Sequence, residues 1–485
     1  LTGGPFFTVN SDATDNTAYD WVVQIWLSLL FGMALAATLP PAPLGILAPL
    51  PLAWLLGRGG FGVGFLAGLG FWALHLVWLP LSFVVLFETP WGAVPYLPLV
   101  LIKAALWGVV FGLSRGRPLR RAGLWVVQEY LTSLGEVAFP WGFMGYAMVE
   151  APGRVLASLG GVYLLSLVVL AVAVGLRAAW RRLRADPVVF SLPTLGLLGL
   201  VVFWAVLWVM PLPAAQGNEQ ALLVQGNINP LRKLEGVSAE ETYLQLTRQG
   251  LQANPGVAVV VWPETAVSGF APELEALLAG RELLSGLETG LTNRVVRVYK
   301  GQITHYYDKN RLVPFGEYFP WSEALRPVYS FFFRAFGFSQ GLESRTPGQA
   351  YQPLGRYGAF ICYESVFPAV TRRLVLAGAE VLELGSNDAW YGPSFGGLQH
   401  FQMGRLRAVE TGRWLLRAGN DGVTAIIDPY GRVTARIPQR QAAYLVGAFA
   451  AQQHQTLYVR FGDWAVVLAG FLGIGLLNRP KGTIV

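Results

Sequence analysis

Cysteine is almost missing from this chain: Cys362 is the only one in 485 residues. A lone thiol excludes an internal disulfide, and a single cysteine cannot build a structural zinc site. The four histidines are too scattered for metal-ligand spacing, so no metal or other cofactor is expected. Charge is scarce as well. Only 13% of residues are charged, against about 25% in an ordinary soluble protein. Lysine is scarcest among the cations, five of 36 basic residues. There is no Gly-rich phosphate loop and no internal repeat.

Apolar residues fill the gap, at 53% of the chain with 17 tryptophans, as expected of a membrane protein with aromatic interfacial belts. Spans need about 20 apolar residues, fewer where a helix is re-entrant. The runs predict spans at 22–38, 42–56, 61–86, 93–113, 119–134, 156–176 and 191–210, with an eighth at 464–478. The resulting division is a polar tail (1–20), a seven-span domain (21–215), an α/β domain (219–452) and a last membrane helix (460–479). The tail lacks the basic n-region of a signal peptide. In a soluble protein the net charge of +7 would suggest nucleic acid. Here Arg58, Arg115, Arg117, Arg120, Arg121, Arg177, Arg181, Arg182 and Arg184 sit in short loops between spans, and Arg479 and Lys481 follow the eighth. By the positive-inside rule those loops are cytoplasmic, and the segment between spans seven and eight is extracytoplasmic. No nucleic-acid partner is expected. Within the spans, Lys103 lies near an outer end and is expected to snorkel to the interface, and His75 is expected to be a hydrogen-bonded interior residue.

From 219 onward the composition becomes that of a layered α/β domain. ALLVQGNI (221–228) and VAVVVWPET (257–265) are buried-strand runs. Between them, Ser238 and Glu241 form a capping box ahead of a helix stopped at Asn254-Pro255-Gly256. Hairpins are predicted to turn at Lys300-Gly301 and at Tyr430-Gly431. Strands are expected in 413–420 and 442–449, and LQHFQMGRLRAVETG reads as a helix.

Three polar interruptions recur just past strands: Glu264 in WPET, Lys309 and Glu317 in YYDKNRLVPFGEYFP, and Cys362 with Glu364 in ICYES. Singly, each has a bland reading, as a cap neighbour, a solvated lysine or a small buried hydrophobe. Together they describe acyl chemistry. A carboxylate generates the thiolate and later deprotonates an attacking amine, while an ammonium stabilises the tetrahedral oxyanion. The aromatics of 321–345, Phe331 to Phe333 among them, either touch lipid or form plain core.

Those three contexts resemble the nitrilase, or carbon–nitrogen hydrolase, superfamily. The stretch SNDAWYGPSFGGLQHFQMGRLRAVETGRWLLRAGNDGVTAIIDPYG (386–431), with the seven-plus-one spans, is similar to its membrane branch, the apolipoprotein N-acyltransferases. The resemblance implies a multi-pass α-helical membrane domain of about eight spans carrying an extracytoplasmic αββα sandwich, in a bacterial inner membrane with the catalytic domain on the periplasmic side. It implies Glu264 as general base, Lys309 as oxyanion-stabilising lysine and Cys362 as acylated nucleophile. Glu317, Glu364, Tyr363, Trp390 and Asn293 become supporting residues. The implied donor is a phospholipid, typically phosphatidylethanolamine, and the implied acceptor a diacylated apolipoprotein. Leu234 departs from the tryptophan usual in that family, and Arg311 from its histidine near the lysine. The competing readings are a membrane-tethered amidase with water as acceptor, a transporter or receptor without chemistry, and a glycosidase using Glu264 and Glu317.

Overall fold

The computed structural model describes residues 12–87, 90–185, 192–228, 240–336 and 344–475. The N-terminal half is a helical bundle: α1 (Asp12–Ala36), α2 (Pro49–Leu55), α3 (Phe61–His75), α4 (Leu79–Phe87), α5 (Tyr96–Leu113), α6 (Pro118–Leu131), α7 (Ala157–Ala185) and α8 (Leu192–Val209). Two stretches, Tyr96–Leu113 and Pro152–Ala185, are by themselves long and apolar enough to cross a bilayer; Val22–Ala36, Gly45–Leu55, Phe61–His75, Thr194–Val209 and Trp464–Ile474 are shorter apolar helices. Their outward faces carry exposed apolar side chains such as Ile102, Leu198 and Ile474. The interior is aromatic: Phe71 lies 4.8 Å from Trp107, whose ring is 4.4 Å from Trp125. Basic residues gather at one end of the bundle. There Arg121 donates to Leu56 O (2.8 Å) and Arg177 to Gly57 O (2.9 Å).

Three expectations change here. The run 61–86 is two helices, broken at 76–78, with Pro80 in the first turn of α4, where a missing N–H is harmless. The first helix begins at Asp12, inside the polar stretch assigned to a tail. Lys103 does not snorkel. It is buried, donates to Phe139 O at 2.7 Å and lies 5.0 Å from the Trp72 ring. Ser238, of the expected capping box, and Leu234 lie outside the described residues.

The second half is a sandwich of two sheets. One holds six strands in the order β11-β1-β2-β3-β4-β5: β11 (Ala443–Phe449), β1 (Glu219–Gln225), β2 (Val257–Val261), β3 (Glu282–Glu288), β4 (Asn293–Tyr299) and β5 (Gln302–Asp308). The other runs β10-β9-β8-β7-β6: β10 (Val433–Ile437), β9 (Thr424–Ile427), β8 (Leu415–Gly419), β7 (Val381–Ser386) and β6 (Tyr357–Ile361). The central strands β1–β3 and β6–β8 are parallel, with Phe360 opposite Leu384, and β1, β2 and β6 read as apolar runs accordingly. The β4–β5 hairpin turns at Lys300-Gly301, both at positive φ, as its sequence predicts. Helices α9 (Glu240–Ala253) and α10 (Leu274–Leu278) belong to the first sheet's side of the chain. After α11 (Ser322–Phe336) come α12 (Pro368–Leu376) and α13 (Gly396–Thr411), which pack on the second sheet. The chain ends its described course in α14 (Leu457–Phe461) and α15 (Trp464–Ile474).

The halves are joined through α13. Glu410 accepts from Val162 N (2.9 Å), an amide freed where α7 breaks its helical geometry at Gly160 and Gly161, and it also accepts from Arg407 (2.9 Å). About three turns earlier, Gln399 Oε1 accepts from the indoles of Trp78 (2.9 Å) and Trp141 (2.8 Å), while its Nε2 donates to His75 O (3.1 Å). These contacts lie at the bundle end opposite the basic loops.

Candidate active site

Parallel strands leave a crevice at their carboxyl ends, and side chains there project out of the layer. Glu264 follows β2, Lys309 follows β5 and Cys362 follows β6, so the three residues picked from sequence reach one point from both sheets. Glu264 can sit there because its neighbours are small: a Cβ on Gly286 would lie 2.3 Å from Thr265 N, and one on Gly385 3.0 Å from Glu264 N.

Lys309 is buried, with its ammonium 2.9 Å from the Glu317 carboxylate and 3.4 Å from Glu264 Oε1. Asn293, at the start of β4, bridges the two carboxylates, donating to Glu264 Oε1 (2.7 Å) and Glu317 Oε1 (3.0 Å). Asn387 N donates to Glu264 Oε2 (2.8 Å), and Val313 N to Glu317 (2.8 Å). Burial alone would lower the lysine, but Glu317 and Glu264 outweigh it and hold the ammonium well above its ordinary range. Burial likewise opposes ionisation of Glu317, yet Lys309, Asn293 and the Val313 amide hold its carboxyl below the usual value. The cation is therefore fixed. Burial, then the Glu264 charge, push the Cys362 thiol up against the pull of Lys309, so the resting site holds a thiol beside a carboxylate.

Cys362 has φ +46°, a strained value for a residue with a Cβ. Glu364 braces this turn. Its carboxylate accepts from Ile361 N (2.9 Å), Asn310 N (2.8 Å), Arg311 N (3.1 Å) and Tyr307 OH (2.9 Å), and so ties the cysteine turn to the lysine loop. Tyr363 donates to Ala138 O (2.7 Å) in the bundle, anchoring the same turn from below. Trp390 lines the cavity wall, 36% exposed.

Sequence reasoning missed the residues behind the cysteine. His400 is fully buried, with Nε2 2.9 Å from Cys362 O and 2.7 Å from Ser365 Oγ, and Nδ1 3.0 Å from Asp388 Oδ1. Arg417 donates to Asp388 Oδ2 (2.7 Å), and Ser386 to Oδ1 (2.6 Å). Burial opposes the Asp388 charge, but Arg417 and His400 outweigh it and hold the carboxyl well below its usual range. Thiol, carboxylate and imidazole lie within 4.8 Å of one another, the donor types of a metal site. Their polar atoms are already engaged: a guanidinium holds Asp388 and also lies 3.3 Å from His400 Nδ1, and His400 Nε2 faces the Cys362 carbonyl and the Ser365 hydroxyl. The set does not fit a cation. Asp388, His400 and Arg417 all lie within 386–431, and nothing in their spacing distinguishes them.

A cavity of about 1820 Å³ opens onto Cys362, Glu264 and Lys309. It exceeds the roughly 300–1,000 Å³ of a small-molecule pocket. Its walls mix bundle side chains (Trp78, Leu99, Ile102) with sandwich side chains (Phe319, Phe333, Trp390). Lys103 and Gln128 lie in the same wall.

Residues 27–175 match the apolipoprotein N-acyltransferase N-terminal domain, and residues 291–457 the carbon–nitrogen hydrolase family. Among solved structures, a carbon–nitrogen hydrolase from Helicobacter pylori G27 aligns at 18% identity over 55% of this chain and 96% of that one, with a TM-score of 0.35. The apolipoprotein N-acyltransferase of Vibrio cholerae is 31% identical over 88% of this chain and 92% of its own length. That of Azotobacter vinelandii is 34% identical over 95% of this chain and 97% of its own. Both domain matches and near full-length similarity agree, and the chain belongs to the apolipoprotein N-acyltransferase family.

Proposed function

We propose that this enzyme, an N-acyltransferase of lipoprotein maturation, works by two acyl transfers through Cys362. The thiol gives its proton to Glu264 as sulfur attacks the sn-1 ester carbonyl of a phospholipid, phosphatidylethanolamine being the expected donor. Lys309 stabilises the tetrahedral oxyanion. The ester C–O bond breaks, the lysophospholipid oxygen takes the proton from Glu264, and a thioester remains on Cys362. The α-amino group of a diacylated apolipoprotein then attacks that thioester, its proton passing to Glu264. The C–S bond breaks, and the thiolate recovers the proton. Glu317 and Asn293 orient the lysine and the base, Glu364 and Tyr363 hold the turn, and Trp390 shapes the wall.

The observation that carries this reading is the single cavity shared by apolar bundle helices and the Glu–Lys–Cys cluster. Both substrates are bilayer-anchored, so a site fed from the membrane gains the effective concentration of two-dimensional confinement. We read the bundle as the seven-span domain expected at 21–215, its first helix reaching back to Asp12, the sandwich as 219–452, and α15 as part of an eighth span (460–479). Helices shorter than a full span fit if they are re-entrant or packed within the bundle. The basic loops at the end remote from the sandwich support a cytoplasmic assignment for that end, with catalysis on the periplasmic face of the bacterial inner membrane.

The test offers purified protein a labelled phospholipid and a diacylated lipopeptide. A triacylated product and an acyl mass adduct lost in Cys362→Ser are expected. Release of free fatty acid alone would favour a hydrolase with water as acceptor instead.

A further inference from the structure

We infer that His400 is a positioning residue for Cys362, holding the nucleophile's own carbonyl so that the strained turn presents sulfur to the cavity; this rests on Cys362 being the nucleophile. Four observations converge. Cys362 keeps φ +46° with a full side chain, so something outside the residue must over-determine its backbone. His400 Nε2 lies 2.9 Å from Cys362 O, and a carbonyl oxygen only accepts, so the ring donates there. The ring is held from behind by Asp388, which is held in turn by Arg417 and Ser386. Its helix is locked in rotation by the preceding residue, because Gln399 is clamped by the Trp78 and Trp141 indoles and by His75 O.

A trans peptide holds its C=O and N–H antiparallel. Pinning the Cys362 oxygen on His400 therefore also fixes where the Tyr363 N–H points. Ser365 Oγ, 2.7 Å from the same nitrogen, places a second group of the turn on the ring. Glu364 braces the turn from the lysine-loop side and His400 from the helix side. The two supports differ: Glu364 bonds amides before the nucleophile, and His400 bonds the carbonyl of the nucleophile itself. His400 touches no reacting atom in this scheme; it acts through the peptide plane.

Two amide variants that mimic one ring nitrogen each separate this role from simple packing. In His400→Gln the amide nitrogen reaches the position of Nε2 and can still donate to Cys362 O. In His400→Asn it reaches only the Asp388 side. The readouts are alkylation of the resting enzyme by iodoacetamide, unambiguous because Cys362 is the only thiol, and single-turnover formation of the acyl adduct. The expected result is roughly a 10–100-fold slowing of both rates in His400→Asn, with unchanged KM for phospholipid, and a return to within a few-fold of wild type in His400→Gln. Equal rates in the two variants, whether both fast or both slow, would overturn the proposal. Alkylation needs no substrate, so this result stands apart from whether the acyl donor is a phospholipid.

Discussion

In the helical half, buried polar side chains tie backbone to backbone at scattered places. Lys103 holds Phe139 O, Glu129 accepts from Met144 N (2.7 Å), and Arg121 holds Leu55 and Leu56 oxygens. In the sandwich they converge. Glu264, Glu317, Asn293 and Lys309 bond chiefly to one another around Cys362, with Glu364 and His400 bracing the turn behind. The bundle uses polarity to fix loops where lipid offers no hydrogen bonds. The sandwich uses it to hold charge at a reaction centre, where strand ends from two sheets aim several side chains at one point.

The largest expected effect tests the converging network. Glu264→Gln keeps the shape and the Asn387 N–H partner but removes the base, and should lower kcat about 10²–10⁴-fold. Thermal unfolding near wild type would show that the loss is chemical. A turnover within a few-fold of wild type would remove Glu264 from the mechanism. In the bundle the corresponding break concerns stability. Lys103 donates to Phe139 O and lies 5.0 Å from the Trp72 ring. Lys103→Met should destabilise by roughly 1–3 kcal/mol by leaving the Phe139 carbonyl without its donor. A melting temperature equal to wild type would mean this bond does not support the bundle.

Glu383 breaks the pattern from within the sandwich. It is fully buried in β7, and neither carboxyl oxygen has a hydrogen-bond partner among the described residues. Burial holds it well above the carboxylate range, so the folded state keeps a proton that the unfolded chain releases above about pH 4.3. Its contribution to stability is present below that pH and is lost as pH rises. Glu383→Leu should remove this loss and stabilise the protein by about 1–3 kcal/mol at neutral pH, the melting temperatures of the two proteins converging toward pH 4. The smallest effect belongs to α11, where Phe331 is 62% and Phe332 45% exposed and Phe332 lines the cavity. Exposure on that scale argues against plain core for this pair. Phe331→Ser with Phe332→Ser should raise the phospholipid KM about 10-fold and leave alkylation of Cys362 unchanged.

Much of this was legible because it is local. Lys300-Gly301 marks its own hairpin, and apolar runs announce β1, β2 and β6 whatever they pack on. Cys362, Lys309 and Glu264 stood out as polar interruptions past such runs. β3 did not, because ELLSGLE carries a glycine and two acids, and Gly286 is there for the close passage of the Glu264 segment. The break at 76–78 was hidden inside an apolar run, since its reason is Gln399, 321 residues away from Trp78. Lys103 looked like a snorkelling residue until Phe139 O folded back over it.

The order of residues alone set the apolar spans, the alternation of strands and helices, and the placing of one base, one ammonium and one thiol at strand ends, because each follows from a few neighbouring side chains. Which polar groups meet was decided only by folding. Two sheets had to face each other for Glu264, Lys309 and Cys362 to share a cavity, and α13 had to dock in one rotation for His400 to reach the Cys362 carbonyl. Such contacts depend on distance and direction in space, which neighbouring side chains do not encode.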